Sequence, residues 1–284
     1  MLTPLLELQN VSFSYPEAAP ALRNISLKVY PGERIAVLGN NGAGKSTFFL
    51  ICNGILKPQT GSLFCQGQEI TPTYSKKQLL ELRQNVGIVF QDADNQIIAS
   101  TVESEVSFGP MNLRLPLEQV QQQVDAALAS MQLQTYRDRA PQNLSGGEKK
   151  RVSIADILAM QPQIILFDEP SASLDPYNTN LLEQTLHQLS QDGITMLVST
   201  HDIDLACRFA ERAIVFNDGE IIADGPINSV LHDNEIIERA GLRKPLLFAA
   251  ADLLTETFGL TVANAPRDLT EFSDLLQKLK TAHK

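Results

Sequence analysis

The stretch Gly39-Asn40-Asn41-Gly42-Ala43-Gly44-Lys45-Ser46 constrains this chain more than any other. Before it, Arg34 to Leu38 reads as an apolar strand; after it, Thr47 to Leu50 reads as the start of a helix. Strand, Gly-rich turn and helix in immediate succession is the setting in which this spacing becomes a phosphate-binding loop. Glycines at 39, 42 and 44 let backbone N–H groups converge on an anion at the positive end of the helix. Lys45 would supply a point charge to the β and γ phosphates, and the Ser46 hydroxyl would ligate Mg²⁺. Asn40, Asn41, Ala43 and Thr47 complete the segment expected to wrap the nucleotide.

The surrounding pattern supplies the frame such a loop needs. Leu5 to Ser14 and Ile25 to Tyr30 alternate as strands do, and residues 61–65 and 86–90 look like further strands with a polar helix at Lys76 to Arg83 between them. Ile164 to Phe167, Met196 to Val198 and Ala213 to Phe216 are continuous aliphatic runs separated by helical stretches, which implies a parallel sheet covered on both faces. Asn217-Asp218-Gly219 predicts a hairpin turn into Glu220 to Ala223. From Thr101 to Met160 the periodicity is helical, with Val120, Val124, Leu128 and Met131 on one face. Further on, Pro245 is placed to start a helix that Gly259 ends, with Leu246, Leu247, Ala250, Leu253 and Leu254 on one face. Asp268 and Glu271 stand at capping-box spacing ahead of a second stripe, Leu269, Phe272, Leu275, Leu276 and Leu279.

Composition narrows the partners. With 43% hydrophobic and 20% charged residues the chain is globular, and 23 basic against 33 acidic residues, a net charge of −10, argues against nucleic acid as a partner. The longest apolar run, Leu246 to Ala251, is far too short to span a bilayer. Met1 to Glu7 lacks the pattern of an export signal, so the chain is expected in the cytosol. Cys52, Cys65 and Cys207 are scattered among apolar neighbours and read as core filler.

Two further segments carry chemistry. Asp168 and Glu169 end the run that begins at Ile164, at the carboxyl end of a buried strand where open parallel sheets bind ligands. There Asp168 would hold Mg²⁺ and Glu169 would polarise an attacking water. Leu144-Ser145-Gly146-Gly147-Glu148 opens a helix; Ser145 and Glu148 form a capping box, while the two glycines expose N–H groups at a positive helix end.

In order along the chain stand the phosphate loop, Gln91, Leu144 to Glu148, Asp168-Glu169-Pro170, Ser173-Leu174-Asp175 and His201. This ordered set, over roughly residues 5–225, resembles the ABC-type ATPases. The resemblance implies an α/β fold: a P-loop NTPase core with a mostly parallel sheet, an antiparallel β subdomain, an inserted helical subdomain at about 92–160 and, at 226–284, a small α-helical extension. It implies an ATPase with ATP and Mg²⁺ as cofactors, Tyr15 stacked on adenine, Gln91 reaching Mg²⁺ and the attacking water, and His201 bonded to the γ-phosphate. Ser145, Gly146, Gly147 and Glu148 would meet the nucleotide of an opposite subunit, and Asp175 would belong to the loop that crosses between subunits. A strand-end aromatic at Tyr15 and a helix-capping histidine at 201 are the competing readings.

The segment Gln91-Asp92-Ala93-Asp94-Asn95-Gln96, with Thr101-Val102-Glu103 and Phe108-Gly109-Pro110, narrows the resemblance to the energy-coupling-factor branch of importer ATPases. His201 to Leu205 and Ala240 to Pro245 look most like its cobalt-type members; vitamin and nickel importers share the pattern. Ala93 replaces a usual proline, Asp156 a usual small residue, and Ser173 also departs from the family's pattern. The resemblance implies a second ATPase subunit as partner, a copy of the chain, together with a membrane-embedded coupling subunit and a substrate-binding membrane subunit at the cytoplasmic face. Ile97, Ile98 and Phe108 are the expected docking residues, and the C-terminal helices serve either the dimer or their own subunit. ABC-type ATPases that act on ribosomes or DNA carry two ATPase units or a long insertion; this chain has one phosphate loop and a short span from Gln91 to Leu144.

Overall fold

A computed structural model describes residues 3–70, 75–258 and 265–282. The chain begins β1 (Leu6–Ser14), β2 (Pro20–Val29), β3 (Arg34–Leu38) and α1 (Lys45–Cys52), then β4 (Thr60–Cys65), β5 (Gln68–Ile70), α2 (Lys76–Asn85) and β6 (Val86–Val89). Three helices follow, α3 (Val102–Asn112), α4 (Leu117–Ser130) and α5 (Gly146–Leu158). The chain then returns to β7 (Ile164–Asp168), α6 (Pro176–Gln191), β8 (Thr195–Ser199), α7 (Ile203–Phe209), β9 (Arg212–Asn217) and β10 (Glu220–Pro226). It closes with α8 (Ile227–His232), α9 (Asn234–Arg239), α10 (Leu246–Phe258) and α11 (Leu269–Ala282).

The larger sheet runs β10-β9-β3-β8-β7-β6, parallel from β9 to β6, with β10 added antiparallel by a hairpin. Its strands read as unbroken apolar runs because alternate residues enter two different cores. Ala36 and Leu38, Ile165 and Phe167, and Met196 and Val198 face the helices α3–α7. Ile35 and Val37, Ile164 and Leu166, and Leu197 face α1 and the smaller antiparallel sheet β2-β1-β4-β5. The α/β class with a parallel sheet, an antiparallel companion and a helical block is thus as the sequence implies. All three cysteines are buried, as expected of core filler.

Two expectations need correction. Strand β2 begins at Pro20 rather than Ile25. Asn24 has φ of 52° and the register against β1 slips between Val11 and Phe13, so the alternation resets and hides the first half of the strand. On α10 the buried residues are Phe248 and Ala251, whereas Leu246 and Leu253 of the expected stripe are 70% and 62% exposed. Phe248 packs on the His232 ring at 4.6 Å and joins the core beneath it. Gly259 and the side chain of Leu279 lie outside the described residues. The C-terminal helices are tied to α7: the Leu246 N–H donates to Asp204 Oδ1 (2.9 Å), and the Arg267 guanidinium donates to the carbonyls of Cys207 and Ala210.

Candidate functional site

The phosphate loop leaves β3 at the carboxyl edge of the larger sheet, held in a shape that only glycine tolerates at two points. Gly39 has φ of 138°, and a Cβ there would run into the Phe216 carbonyl of β9. Gly44 has φ of 107°, and a Cβ would stand 2.6 Å from the Ala21 carbonyl. The turn between β9 and β10 braces the loop from outside, with Gly219 N–H donating to Ala43 O (3.1 Å). Both central residues of that turn, Asp218 and Gly219, have positive φ, as a hairpin turn built on Asp-Gly requires. Helix α1 opens at Lys45 with no side-chain cap and no acidic residue in its first turn, so its leading N–H groups are free for an anion.

These residues border a cavity of about 760 Å³. Tyr15, Asn41 to Thr47, Gln91, Glu169 and His201 all line it, so residues far apart in sequence converge on one space. Lys45 is 6% exposed and donates to the Gly39 and Asn40 carbonyls (2.6 and 3.1 Å), while burial holds its pKa below the ordinary lysine value against the raising pull of Glu169 and Asp168. Tyr15 stands just past β1, edge-on to Phe13 (5.0 Å, 89°), with its hydroxyl 3.3 Å from Thr47 Oγ1. Gly39 and Asn40 are not among the residues lining the cavity, and the Asn40 side chain lies against Gly241.

The acidic pair is set by β7 and its neighbour β8. Asp168 pairs in register with Ser199, whose hydroxyl donates to Asp168 Oδ1 (2.6 Å). The next residue, Glu169, has φ of 46° and donates its N–H to Ser199, to the carbonyl at 3.1 Å and the hydroxyl oxygen at 3.0 Å. Its Oε2 accepts from the His201 backbone N–H (3.2 Å). His201 Nε2 comes within 2.9 Å of Oε1 without hydrogen-bond alignment, which leaves Oε1 buried with no donor directed at it. Burial raises the Glu169 pKa, opposed by His201 and Lys45, so this carboxyl is a better proton acceptor than an exposed glutamate. Asp202 caps α7 by accepting from Leu205 N–H (2.9 Å) and Asp204 holds Leu246, so neither carboxylate is directed at His201.

Asp168 lines a second cavity of about 630 Å³, together with Gly146, Lys150 and Ser173; Gln91 stands in the walls of both cavities. Ser145, Gly147, Glu148 and Asp175 line neither. Ser145 and Glu148 close the capping box of α5: the Glu148 N–H donates to Ser145 Oγ (3.3 Å) and the Ser145 N–H to Glu148 Oε2 (2.6 Å). Asp175 caps α6, accepting from Asn178 N and Nδ2 (2.8 and 2.7 Å). A Cβ on Gly147 would strike Asn178 Oδ1, so the Asn178 side chain of α6 lies against the bare backbone of α5 at Gly147.

Sequence reasoning passed over Ser199, Asn178 and Lys150. A hydroxyl at the end of an apolar strand, and a lysine on the buried stripe of α5 with Gly147, Ile154 and Ile157, were the signals present.

Comparison with known proteins agrees with this geometry. The model of the "ABC transporter" family matches residues 22–172. An energy-coupling factor transporter ATP-binding protein EcfA of Methanothermobacter thermautotrophicus is 49% identical over 250 residues, covering 88% of this chain and 79% of that one. Among solved structures, cbiO1 of Clostridium perfringens, part of the ABC transporter complex cbiONQ, superposes with a TM-score of 0.74 at 36% identity, covering 89% of this chain and 99% of its own. A dimeric post-hydrolysis state of the ATP-binding cassette MJ0796 with ADP and Pi superposes at 0.69 and 32% identity, over 78% and 98% of the two chains. By sequence and by fold, the chain belongs to the ATP-hydrolysing, ATP-binding subunits of ABC transporters, in their energy-coupling-factor branch.

Proposed function

We propose that this chain energises uptake of a transition-metal ion, cobalt in the first place, as one half of an ATPase dimer seated on separate membrane subunits at the cytoplasmic face. One observation carries the dimer: Lys45, Gln91, Glu169 and His201 share a cavity that Ser145, Gly147 and Glu148 do not reach, so a site using both sets needs a second chain. Residues 1–225 form the ATPase unit and 226–284 an extension, held to α7 of its own chain at Leu246 and Arg267. No helix among the described residues is long and apolar enough to cross a membrane, so the conduit is a different chain. Exposed Ile98 and Phe108 offer that partner a docking surface. The cobalt assignment draws on His201 to Leu205 and Ala240 to Pro245, and on the likeness to cbiO1.

In this reading Tyr15 stacks on the adenine, the loop from Gly39 to Thr47 wraps the phosphates, and Lys45 leaves its loop carbonyls for the β and γ oxygens. Glu169 Oε1, buried and without a donor, receives the proton of the attacking water, and His201 steadies both Glu169 and the γ-phosphate. Signature residues Ser145 to Glu148 close over the partner's nucleotide, and Asp175 crosses to it. Ser46, Gln91 and Asp168 suit Mg²⁺, since Asp168 Oδ1 is taken by Ser199 and Oδ2 remains for a ligand. The bound ion supplies positive charge against the phosphate oxygens.

Lys45→Ala should abolish hydrolysis, and Glu169→Gln should keep ATP binding while losing at least about 100-fold in kcat and accumulating a closed dimer on sizing columns. Undiminished turnover by the Glu169→Gln chain refutes the base. For the solute, the complex is purified with its membrane partners and assayed for uptake of labelled cobalt(II). Accumulation lost in Lys45→Ala is expected, whereas uptake of nickel(II) or a vitamin in its place overturns the cobalt reading.

A further inference from the structure

Among the described residues two lysines are buried, Lys45 in the phosphate loop and Lys150 on α5, which is 4% exposed. No carboxylate among the described residues comes within ion-pair distance of Lys150. Its Nζ donates instead to two consecutive backbone carbonyls, Phe90 O at 2.8 Å and Gln91 O at 2.7 Å. A buried ammonium without a counter-ion is costly, and an apolar residue of similar length would pack this stripe of α5 more cheaply. Burial draws the Lys150 pKa down to about 8 against the opposing fields of Asp92 and Asp168.

The same turn of α5 grips the segment after Gln91 a second time. Gln96 Nε2 donates to Ser153 O (2.9 Å), and Gln96 Oε1 accepts the Phe90 N–H (3.2 Å). Residues 90 to 96 are therefore bound to the helix that opens with Ser145, Gly146 and Gly147, about one turn from that opening at Lys150 and about two at Ser153. Through Lys150 the first turns of α5 and the Gln91 backbone are joined by hydrogen bonds, a contiguous link along which a displacement of the helix would reach Gln91.

We propose that Lys150 is a positioning residue for hydrolysis: by holding the Gln91 carbonyl it sets the Gln91 side chain between the two cavities in step with the helix that bears the signature glycines. This rests on the role given to Gln91 above.

The test is a double-mutant cycle in the full-length chain with Lys150→Met, Gln91→Ala and their combination, following kcat, ATP affinity by equilibrium titration and thermal midpoint. Lys150→Met, similar in length but without donors, should lower kcat about tenfold with ATP affinity within about twofold. The double variant should turn over at the rate of Gln91→Ala alone. Lys150→Gln, which keeps a donor, should lose less, and it carries the same cycle if the Met chain does not fold. Wild-type turnover of the Lys150→Met chain, a loss that multiplies on top of Gln91→Ala, or affinity falling in step with rate each overturns the proposal. If Gln91→Ala itself turns over at the wild-type rate, the Gln91 reading falls and takes Lys150 with it. A slow Gln91→Ala beside an unaffected Lys150→Met removes Lys150 alone.

Discussion

Glu169 occupies a left-handed backbone position, φ 46°, that costs a non-glycine residue of the order of 1 kcal/mol or more. Ser199 holds it there: its carbonyl and its hydroxyl both accept from the Glu169 N–H while the hydroxyl donates to Asp168, so one residue orients the Asp168 carboxylate and pins the backbone from which Glu169 projects. We therefore expect Ser199→Ala to lower kcat about tenfold with ATP affinity changed less than about twofold, as steady-state rates and nucleotide titration would record. Equal losses in both would mean that Ser199 serves binding rather than orientation. The carboxylates themselves were legible in the sequence because they end an apolar run. Ser199 was not, because its role comes from the register of β7 against β8, which no local pattern encodes.

Helix α5 shows how much one element can be asked to do. Its capping box, its close approach to Asn178 at Gly147 and its grip on residues 90 to 96 lie within its first two and a half turns. Farther along, Asp156 is packed near Gln96 and Glu105, and its pKa is raised to about 7, first by burial and then by the Glu105 charge, with Gln96 opposing. A carboxyl raised in the folded state contributes stability below its unfolded value of 3.8, and that contribution is lost as pH rises through about 7. The melting temperature of Asp156→Asn should thus climb relative to the wild type from about pH 4 to pH 7 and exceed it by about 5 °C at pH 8. A constant difference between the two chains across that range would place the effect elsewhere. Helix α10 teaches the opposite lesson to α5. Apolar residues surround most of it, so leucine spacing could not choose a face, and the His232 ring and the core below chose Phe248 and Ala251.

Across the whole molecule, helices α8 and α10 complete the core on the α3–α7 side of the larger sheet through Ile227, Leu231 and Phe248, and Ala265 ahead of α11 joins them. Phe248→Ala should cost about 3 kcal/mol in denaturant unfolding, while Leu253→Ala should change stability by less than about 0.5 kcal/mol. Equal effects would mean that α10 is not seated on Phe248. Cutting the chain after Ala223 would strip that core, so changes to exposed Leu253, Leu269 or Leu276 are the cleaner probe of any part these helices play between subunits. The glycine-rich loop, the acidic pair, the capped helix α5, the parallel strands and the antiparallel hairpin could be read from residue order alone, since each follows from spacing within a few residues. That Gln91 stands between two cavities, that Ser199 underlies the acidic pair, that Lys150 holds the Gln91 carbonyl, and which face α10 buries came from packing in three dimensions. Those depend on residues tens of positions apart meeting at sub-ångström tolerance, which packing and strand register impose and local propensity does not.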